Sequence, residues 1–227
     1  MDYLHQFFFG IYPYIALAIF LLGSLIRFDR EQYTWKSESS QMLHQGSLRI
    51  GSILFHVGIL GLFFGHAAGL LTPVWVWDAI GISHGSKQIF AMAVGGAMGS
   101  LCLIGIVILL VRRFSNDRLI AISTIKDKVV LLWILATLLV GLTSILVSAS
   151  HTDGHMMVLL MSWAQHVITF RGDAAQFIVD APLIFKLHLF MGMSLFVIFP
   201  FTRLVHIWSG FGALGYLGRA YQLVRPR

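Results

Sequence analysis

Five long runs with almost no Asp, Glu, Lys or Arg dominate this sequence. They are the 24 residues between Asp2 and Arg27, 28 between Arg49 and Asp78, 24 between Lys87 and Arg112, 24 between Lys128 and Asp153, and 22 between Asp180 and Arg203 that only Lys186 interrupts. A helix needs about 20 mainly apolar residues to cross a bilayer. Charged residues make up 11% of the chain, against roughly 25% in soluble domains. We therefore predict an all-α membrane protein with one domain, 1–227, and five transmembrane helices in a bundle, at about 4–27, 50–73, 88–111, 129–150 and 182–207.

The basic residues predict an orientation for these spans. Of the 16 Lys and Arg residues, 13 fall on the side that holds the loops after spans 1 and 3 and the C-terminus, and the other side holds Lys87, Arg171 and Lys186. Positive flanks stay in the cytoplasm, so we expect the N-terminus outside and a cytoplasmic tail at 210–227. The N-terminus lacks the basic region and cleavage site of a signal peptide, so span 1 is expected to be retained. Charges that flank apolar spans also argue against a nucleic-acid partner.

Shorter features predict how the helices begin, bend and connect. The uncharged stretch 155–170 is only 16 residues long, which suits an amphipathic segment in an outer loop, 151–180, better than a sixth span. Thr124 and Asp127 resemble a capping box before span 4. Pro182 suits the start of span 5, and Pro200 should kink that span. The single Cys102 excludes an internal disulfide and an iron–sulfur cluster held by this chain alone.

Four of the ten histidines lie in or at the edge of predicted spans: His56, His66, His188 and His206. The other six fall in loops or ends and are interpreted as ordinary imidazoles: His5, His44, His84, His151, His155 and His166. Ionisable residues inside a bilayer are rare and usually functional. The alternative is a neutral histidine that bonds to a neighbouring helix. Four such residues on only two spans make this alternative weaker.

The depths of these four histidines suggest two pairs. Span 2 runs outward and span 5 runs inward, so neighbouring spans would bring His56 level with His206 and His66 level with His188. Two facing imidazoles are the ligand set of a six-coordinate haem, which transfers electrons. The spacing is uneven, because 10 residues rise about 15 Å and 18 residues about 27 Å, so tilt and the Pro200 kink must absorb the difference. Zinc is the competing metal, but no HExxH or CxxC motif accompanies the histidines.

Glycines near these histidines have two interpretations. Gly58, Gly61, Gly65, Gly69 and Gly192 could allow close approach of a flat macrocycle between helices. Ordinary helix packing in a membrane uses glycine equally often.

Several stretches of the sequence resemble the gamma subunit of membrane-bound respiratory nitrate reductases, a dihaem cytochrome b. They include "FFFGIYPYIA" (7–16), "QYTW" (32–35), "SSQML" (39–43), "LFHVGILGLFFGH" (54–66), "GLLTPVW" (69–75), "WAQHVITF" (163–170), "FKLHLFMGMSLFVIFPFTRLVHIWS" (185–209) and "YQLVR" (221–225). The resemblance implies a multi-pass protein of the bacterial cytoplasmic (inner) membrane. It also implies His66 and His188 as ligands of a distal haem b and His56 and His206 as ligands of a proximal one.

The same resemblance implies a substrate and partners. Menaquinol or ubiquinol would be oxidised at a site formed by Lys87, His66 and Gly65, near the outer face. Electrons would pass through the two haems to an iron–sulfur beta subunit and a molybdenum-containing alpha subunit that reduces nitrate. The 78–87 loop, "DAIGISHGSK", is one residue longer than the family pattern. From the residues alone, Lys87 could equally be a snorkelling lysine.

Two alternatives to this function stay open at this point. One is the cytochrome b of another quinone-linked complex, of the hydrogenase or formate dehydrogenase type. The other is a haem-free membrane scaffold that only anchors soluble subunits.

Overall fold

The structure, a computed structural model, describes residues 2–31 and 45–210. Its helices are α1 (Tyr3–Arg30), α2 (Gln45–Leu71), α3 (Val74–Ala79), α4 (His84–Phe114), α5 (Asp117–Ile122), α6 (Ile125–Ser148), α7 (His155–Ile168) and α8 (Leu183–Ile198). The motifs at 32–35, 39–43 and 221–225, and nearly all of the predicted tail, lie outside the described residues.

Five of these helices are long and apolar enough to cross a membrane: α1, α2, α4, α6, and α8 with the turn that follows it. The prediction of five such helices in an all-helical protein is confirmed. Lys87 lies at the end of the bundle that also carries α7, and we call this the Lys87 end. Arg27, Arg113 and Arg203 lie together at the opposite end, which we call the Arg203 end.

Helices α2 and α4 are packed closely along antiparallel axes. A Cβ atom added at Gly58 would overlap the backbone of Cys102, and one added at Gly105 would overlap the backbone of Phe55. Without hydrophobic driving force between helices in lipid, such small residues let the backbones approach. By contrast α8 packs on α1 and α6, so α2 and α8 stand on different sides of the bundle's interior.

The segment at 155–170 forms a helix that closes the Lys87 end. Trp163 of α7 is buried, and its indole N–H donates to the carbonyl oxygen of Phe9 at 2.9 Å, within a π-helical turn of α1. Gln165 donates to the carbonyl oxygens of Leu70 and Thr72 at 3.1 and 3.0 Å. These bonds satisfy carbonyls that the end of α2 leaves without an intrahelical partner.

The last span breaks where a kink was expected. Helix α8 ends at Ile198, and two 3₁₀ turns follow, at Phe199–Phe201 and Arg203–Val205, separated by Thr202 in an extended conformation. Pro200 cannot donate a backbone hydrogen bond, which explains why the α-helix stops here. The Arg27 guanidinium of α1 donates to the carbonyl oxygens of Pro200 and Thr202 at 2.7 and 2.8 Å. The break removes the need for His206 to lie 27 Å from His188 along one axis.

Candidate functional site: two histidine pairs and a buried lysine

The four span histidines meet as two pairs between α2 and the last span. The ring centres of His56 and His206 are 6.2 Å apart, and those of His66 and His188 are 6.1 Å apart. The first pair is nearer the Arg203 end and the second nearer the Lys87 end. Each pair takes one imidazole from α2 and one from α8 or the turns that follow it.

Three of these imidazoles are oriented by their own backbone. Nδ1 of His56 lies 2.7 Å from the Ser52 carbonyl oxygen, and Nδ1 of His66 lies 2.7 Å from that of Leu62. Nδ1 of His206 lies 2.6 Å from the Arg203 carbonyl oxygen. Because a carbonyl oxygen only accepts, Nδ1 is the donor in each case, and Nε2 is the ring nitrogen left to bind a metal ion. Histidines that bind metal ions are commonly held in this way.

The glycines around the pairs fall into two groups. A Cβ added at Gly65, Gly69 or Gly192 would meet no atom within 4 Å, so open space adjoins these positions. Gly58 and Gly61 instead face α4, where a Cβ at Gly61 would lie 2.7 Å from the sulfur of Met98. Helix packing therefore accounts for Gly58 and Gly61, and only the first group leaves room for a bound group.

The donor set fits a haem better than zinc. Two imidazoles on opposite sides of one metal ion, each with a nitrogen about 2 Å from it, have ring centres roughly 6 Å apart, close to the two observed separations. Within residues 2–31 and 45–210, no three His, Cys, Asp or Glu side chains converge as a metal site. A closed zinc site needs four protein ligands, whereas a haem iron needs two axial ones.

Lys87 is buried at the Lys87 end beside the second pair. Its side chain is 5% exposed. The ammonium donates to the carbonyl oxygen of Gly69 at 3.0 Å and to the sulfur of Met161 at 2.8 Å, and it lies 4.3 Å from the ring centre of Trp77. Gly69 is three residues after His66 and four after Gly65, so these residues are near neighbours on α2. A snorkelling lysine would hold its ammonium in water, and this one does not.

His84 lies 3.0 Å from Asp78 through its Nε2, and two other histidines have partners in the loop before α8. Nε2 of His5 donates to the carbonyl oxygen of Ala175 at 2.8 Å. His166 lies 2.7 Å from Asp173 through its Nδ1, and this hydrogen bond holds the pKa of Asp173 below its ordinary value. Both contacts tie α7 or α1 to the loop before α8. His44 lies outside the described residues.

Two features near the pairs escaped the sequence analysis. Gly141 of α6 faces the imidazole of His188, and Asp127 is paired with Arg203, close to His206. Both join residues far apart in the chain, so no local pattern predicts them. Asp127 was found only as a helix cap, and that prediction is confirmed, because Thr124 and Asp127 form a complete capping box.

Comparison with known proteins identifies the family. The family model described as nitrate reductase gamma subunit matches residues 5–227. The chain is 50% identical to the respiratory nitrate reductase 1 gamma chain of Escherichia coli (strain K12), over all of both chains. It is 35% identical to the nitrate reductase gamma chain of Bacillus subtilis (strain 168), over 98% of each. This protein therefore belongs to the nitrate reductase gamma subunit family.

Proposed function

We propose that this chain is the dihaem cytochrome b of a respiratory nitrate reductase and oxidises quinol at its Lys87 end. The family makes it a membrane subunit of that enzyme, and its five apolar helices suit such a subunit. The observation that carries the proposal is the presence of two histidine pairs. Their ring centres are 6.2 Å apart in one pair and 6.1 Å apart in the other. The alternatives of a hydrogenase or formate dehydrogenase cytochrome b have no comparable support.

In this proposal His66 and His188 hold the distal haem b, and His56 and His206 hold the proximal haem b. A haem with two histidine ligands has no open coordination position and supplies one-electron transfer. The protein's contribution is to orient three of the four ligands, through Nδ1 hydrogen bonds to backbone carbonyls, and to leave space between α2 and α8. Gly65, Gly69 and Gly192 leave that space open.

Lys87 is proposed to bind a quinol oxygen. An ammonium has three donors, and here one is directed to the Gly69 carbonyl and one to a thioether, which is a weak acceptor. Among the described residues no carboxylate pairs with it. Lys87 can therefore donate to an oxygen of a menaquinol or ubiquinol head group beside His66 and Gly65. Its charge would stabilise the negative charge that develops as the quinol loses its protons.

The orientation and the partners are part of the same proposal. The positive-inside distribution supports a cytoplasmic Arg203 end and an outer Lys87 end, in the bacterial inner membrane. Protons from quinol would then leave on the outer side while electrons move inward. The Arg203 end would dock an iron–sulfur beta subunit and a molybdenum-containing alpha subunit. Deleting residues 210–227 should release these subunits from membranes, and unchanged attachment would make that segment dispensable for docking.

Haem content and the Lys87→Ala variant test the proposal. The assembled complex should contain two b-type haems per gamma chain in a pyridine haemochrome assay, and a count of zero would refute it. Lys87→Ala should retain both haems and lose quinol-dependent haem reduction, while an artificial donor to the soluble subunits still supports nitrate reduction. Lys186→Ala is the matched control, since Lys186 lies at the same end and donates to the Val179 carbonyl oxygen at 2.7 Å. Normal quinol oxidation by Lys87→Ala would contradict the assigned role.

A further inference from the structure

Helix α6 presents a glycine to the imidazole of His188. A Cβ atom added at Gly141 would lie 2.7 Å from Cε1 of that ring, 3.3 Å from Nδ1 and 3.4 Å from Nε2. Two carbon atoms attract best at about 3.5–4.0 Å, so 2.7 Å is a steric overlap. The nearest atoms belong to a rigid ring and not to the free end of a flexible chain. Any side chain at position 141 must therefore displace either the imidazole or α6.

His188 depends on packing more than its three counterparts do. Its buried Nδ1 atom makes no close hydrogen bond to a carbonyl of its own segment, and its backbone partner is Thr137 of α6, at a weaker geometry. The other three histidines each bond Nδ1 to a carbonyl of their own segment. Helix α6 therefore sets the orientation of the His188 ring, through the backbone of Thr137 and through the close surface at Gly141.

A hydrogen bond fixes α6 against α8 on the N-terminal side of Gly141. Trp133 of α6 donates its indole N–H to the carbonyl oxygen of Met191 at 3.1 Å, close to His188 in α8. Thr137, between Trp133 and Gly141, is 8% exposed. A shift of α6 away from His188 would strain this hydrogen bond, so rotation of the imidazole is the easier response to a side chain at position 141.

We infer that Gly141 is a positioning residue for His188, and that its missing side chain holds the imidazole in the orientation that pairs it with His66. This inference rests on the proposed function, in which that pair holds the distal haem. Groups that orient a metal ligand typically change metal affinity by roughly 10- to 100-fold when they are altered. Gly141→Ala should therefore weaken or alter the distal haem and leave the proximal haem as a reference within the same molecule.

The chain offers a control with the same overlap distance. A Cβ added at Gly99 of α4 would lie 2.7 Å from Cδ2 of Leu142, the residue after Gly141 in α6. Gly99→Ala thus crowds the next residue of α6 at the same distance, but the crowded atom is the free end of a leucine side chain and not the histidine ring. A defect that any methyl group added beside this part of α6 causes would appear in both variants, and a defect of His188 only in Gly141→Ala.

The experiment is a redox titration of membranes that contain the whole complex, followed by the optical and low-temperature EPR signals of each haem. His188→Ala and His206→Ala identify which signal belongs to which pair. Loss of the distal signal, or a shift in its midpoint potential, in Gly141→Ala but not in Gly99→Ala supports the inference. Two unchanged haems in Gly141→Ala, equal effects in both glycine variants, or loss of both haems would overturn it. An unaltered chain without haem would instead refute the proposed function.

Discussion

Arg203 and Asp127 form an ion pair that joins the start of α6 to the turn before His206. The Nε atom of Arg203 donates to Oδ1 of Asp127 at 2.7 Å, and Oδ2 of the same carboxylate lies 3.5 Å from Arg113. The carbonyl oxygen of Arg203 accepts the Nδ1 proton of His206. One buried carboxylate therefore connects α4, α6 and the backbone that orients a proposed haem ligand.

Asp127→Ala should destabilise the protein by about 3 kcal/mol, because removing one partner of a buried ion pair leaves the other charges uncompensated. Thermal unfolding of the purified complex, followed by circular dichroism, measures this loss. The proximal haem spectrum should change as well. Thr124→Ala is the control, since it removes only the helix cap, at about 1 kcal/mol. Equal effects of the two substitutions would show that the cap and not the ion pair matters.

Substitution of any one of the four paired histidines should remove one haem. His66→Ala or His188→Ala should each leave one haem per chain, and so should His56→Ala or His206→Ala. The two residues of a pair should remove the same haem, since each contributes one of its axial ligands. EPR spectra of the four variants make the comparison. If the two variants of one pair lost different haems, the pairing of those two histidines would be contradicted.

Gly58→Ala should separate α2 from α4, since the added Cβ would overlap the backbone of Cys102. Overpacking of a close contact typically costs 1–3 kcal/mol, so we expect a loss of about 2 kcal/mol in thermal unfolding. Gly96→Ala on α4 serves as the control, because a Cβ there would meet nothing within 4 Å. A stable Gly58→Ala variant would mean that the two backbones can move apart at little cost.

Acid should loosen the loop that precedes α8. The hydrogen bond from His166 lowers the pKa of Asp173 below 3.8 in the folded protein. A lowered pKa means that the contact stabilises the fold fully above the ordinary pKa and is lost as the pH falls through the lower, folded value. Below about pH 4, backbone hydrogen exchange at residues 169–179 should therefore accelerate more in the unaltered protein than in Asp173→Asn. Identical acid responses in the two proteins would contradict this.

The sequence predicted the features that depend on local composition. Four uncharged runs of 24 to 28 residues, and one of 22 that only Lys186 interrupts, indicated the five long helices. Thr124 with Asp127 indicated a helix start. Both patterns are continuous in the sequence and require no information about packing. The break after α8 was anticipated only as a kink at Pro200. Its actual form depends on Arg27, whose hydrogen bonds reach across 173 and 175 positions of the chain.

The site was predicted less completely than the fold. Depth along two spans suggested which histidines would meet, because each helical residue adds a nearly constant rise. The burial of Lys87 against Met161 depends on α7 folding back over the Lys87 end, and the fit of Gly141 to His188 depends on how α6 crosses α8. Neither follows from spacing along one helix, since both require the packing of separate segments.

The position of the histidines also determines when this chain can first bind its proposed cofactors. Each pair takes one residue from α2 and the other from α8 or the turns just after it. A ribosome that has released α2 into the membrane has delivered only half of each pair, and the second halves emerge last. A chain interrupted before residue 188 would lack a complete pair, and one interrupted before residue 206 could complete only the pair at the Lys87 end. Insertion of both haems would thus indicate that all five long helices had been synthesised, up to His206.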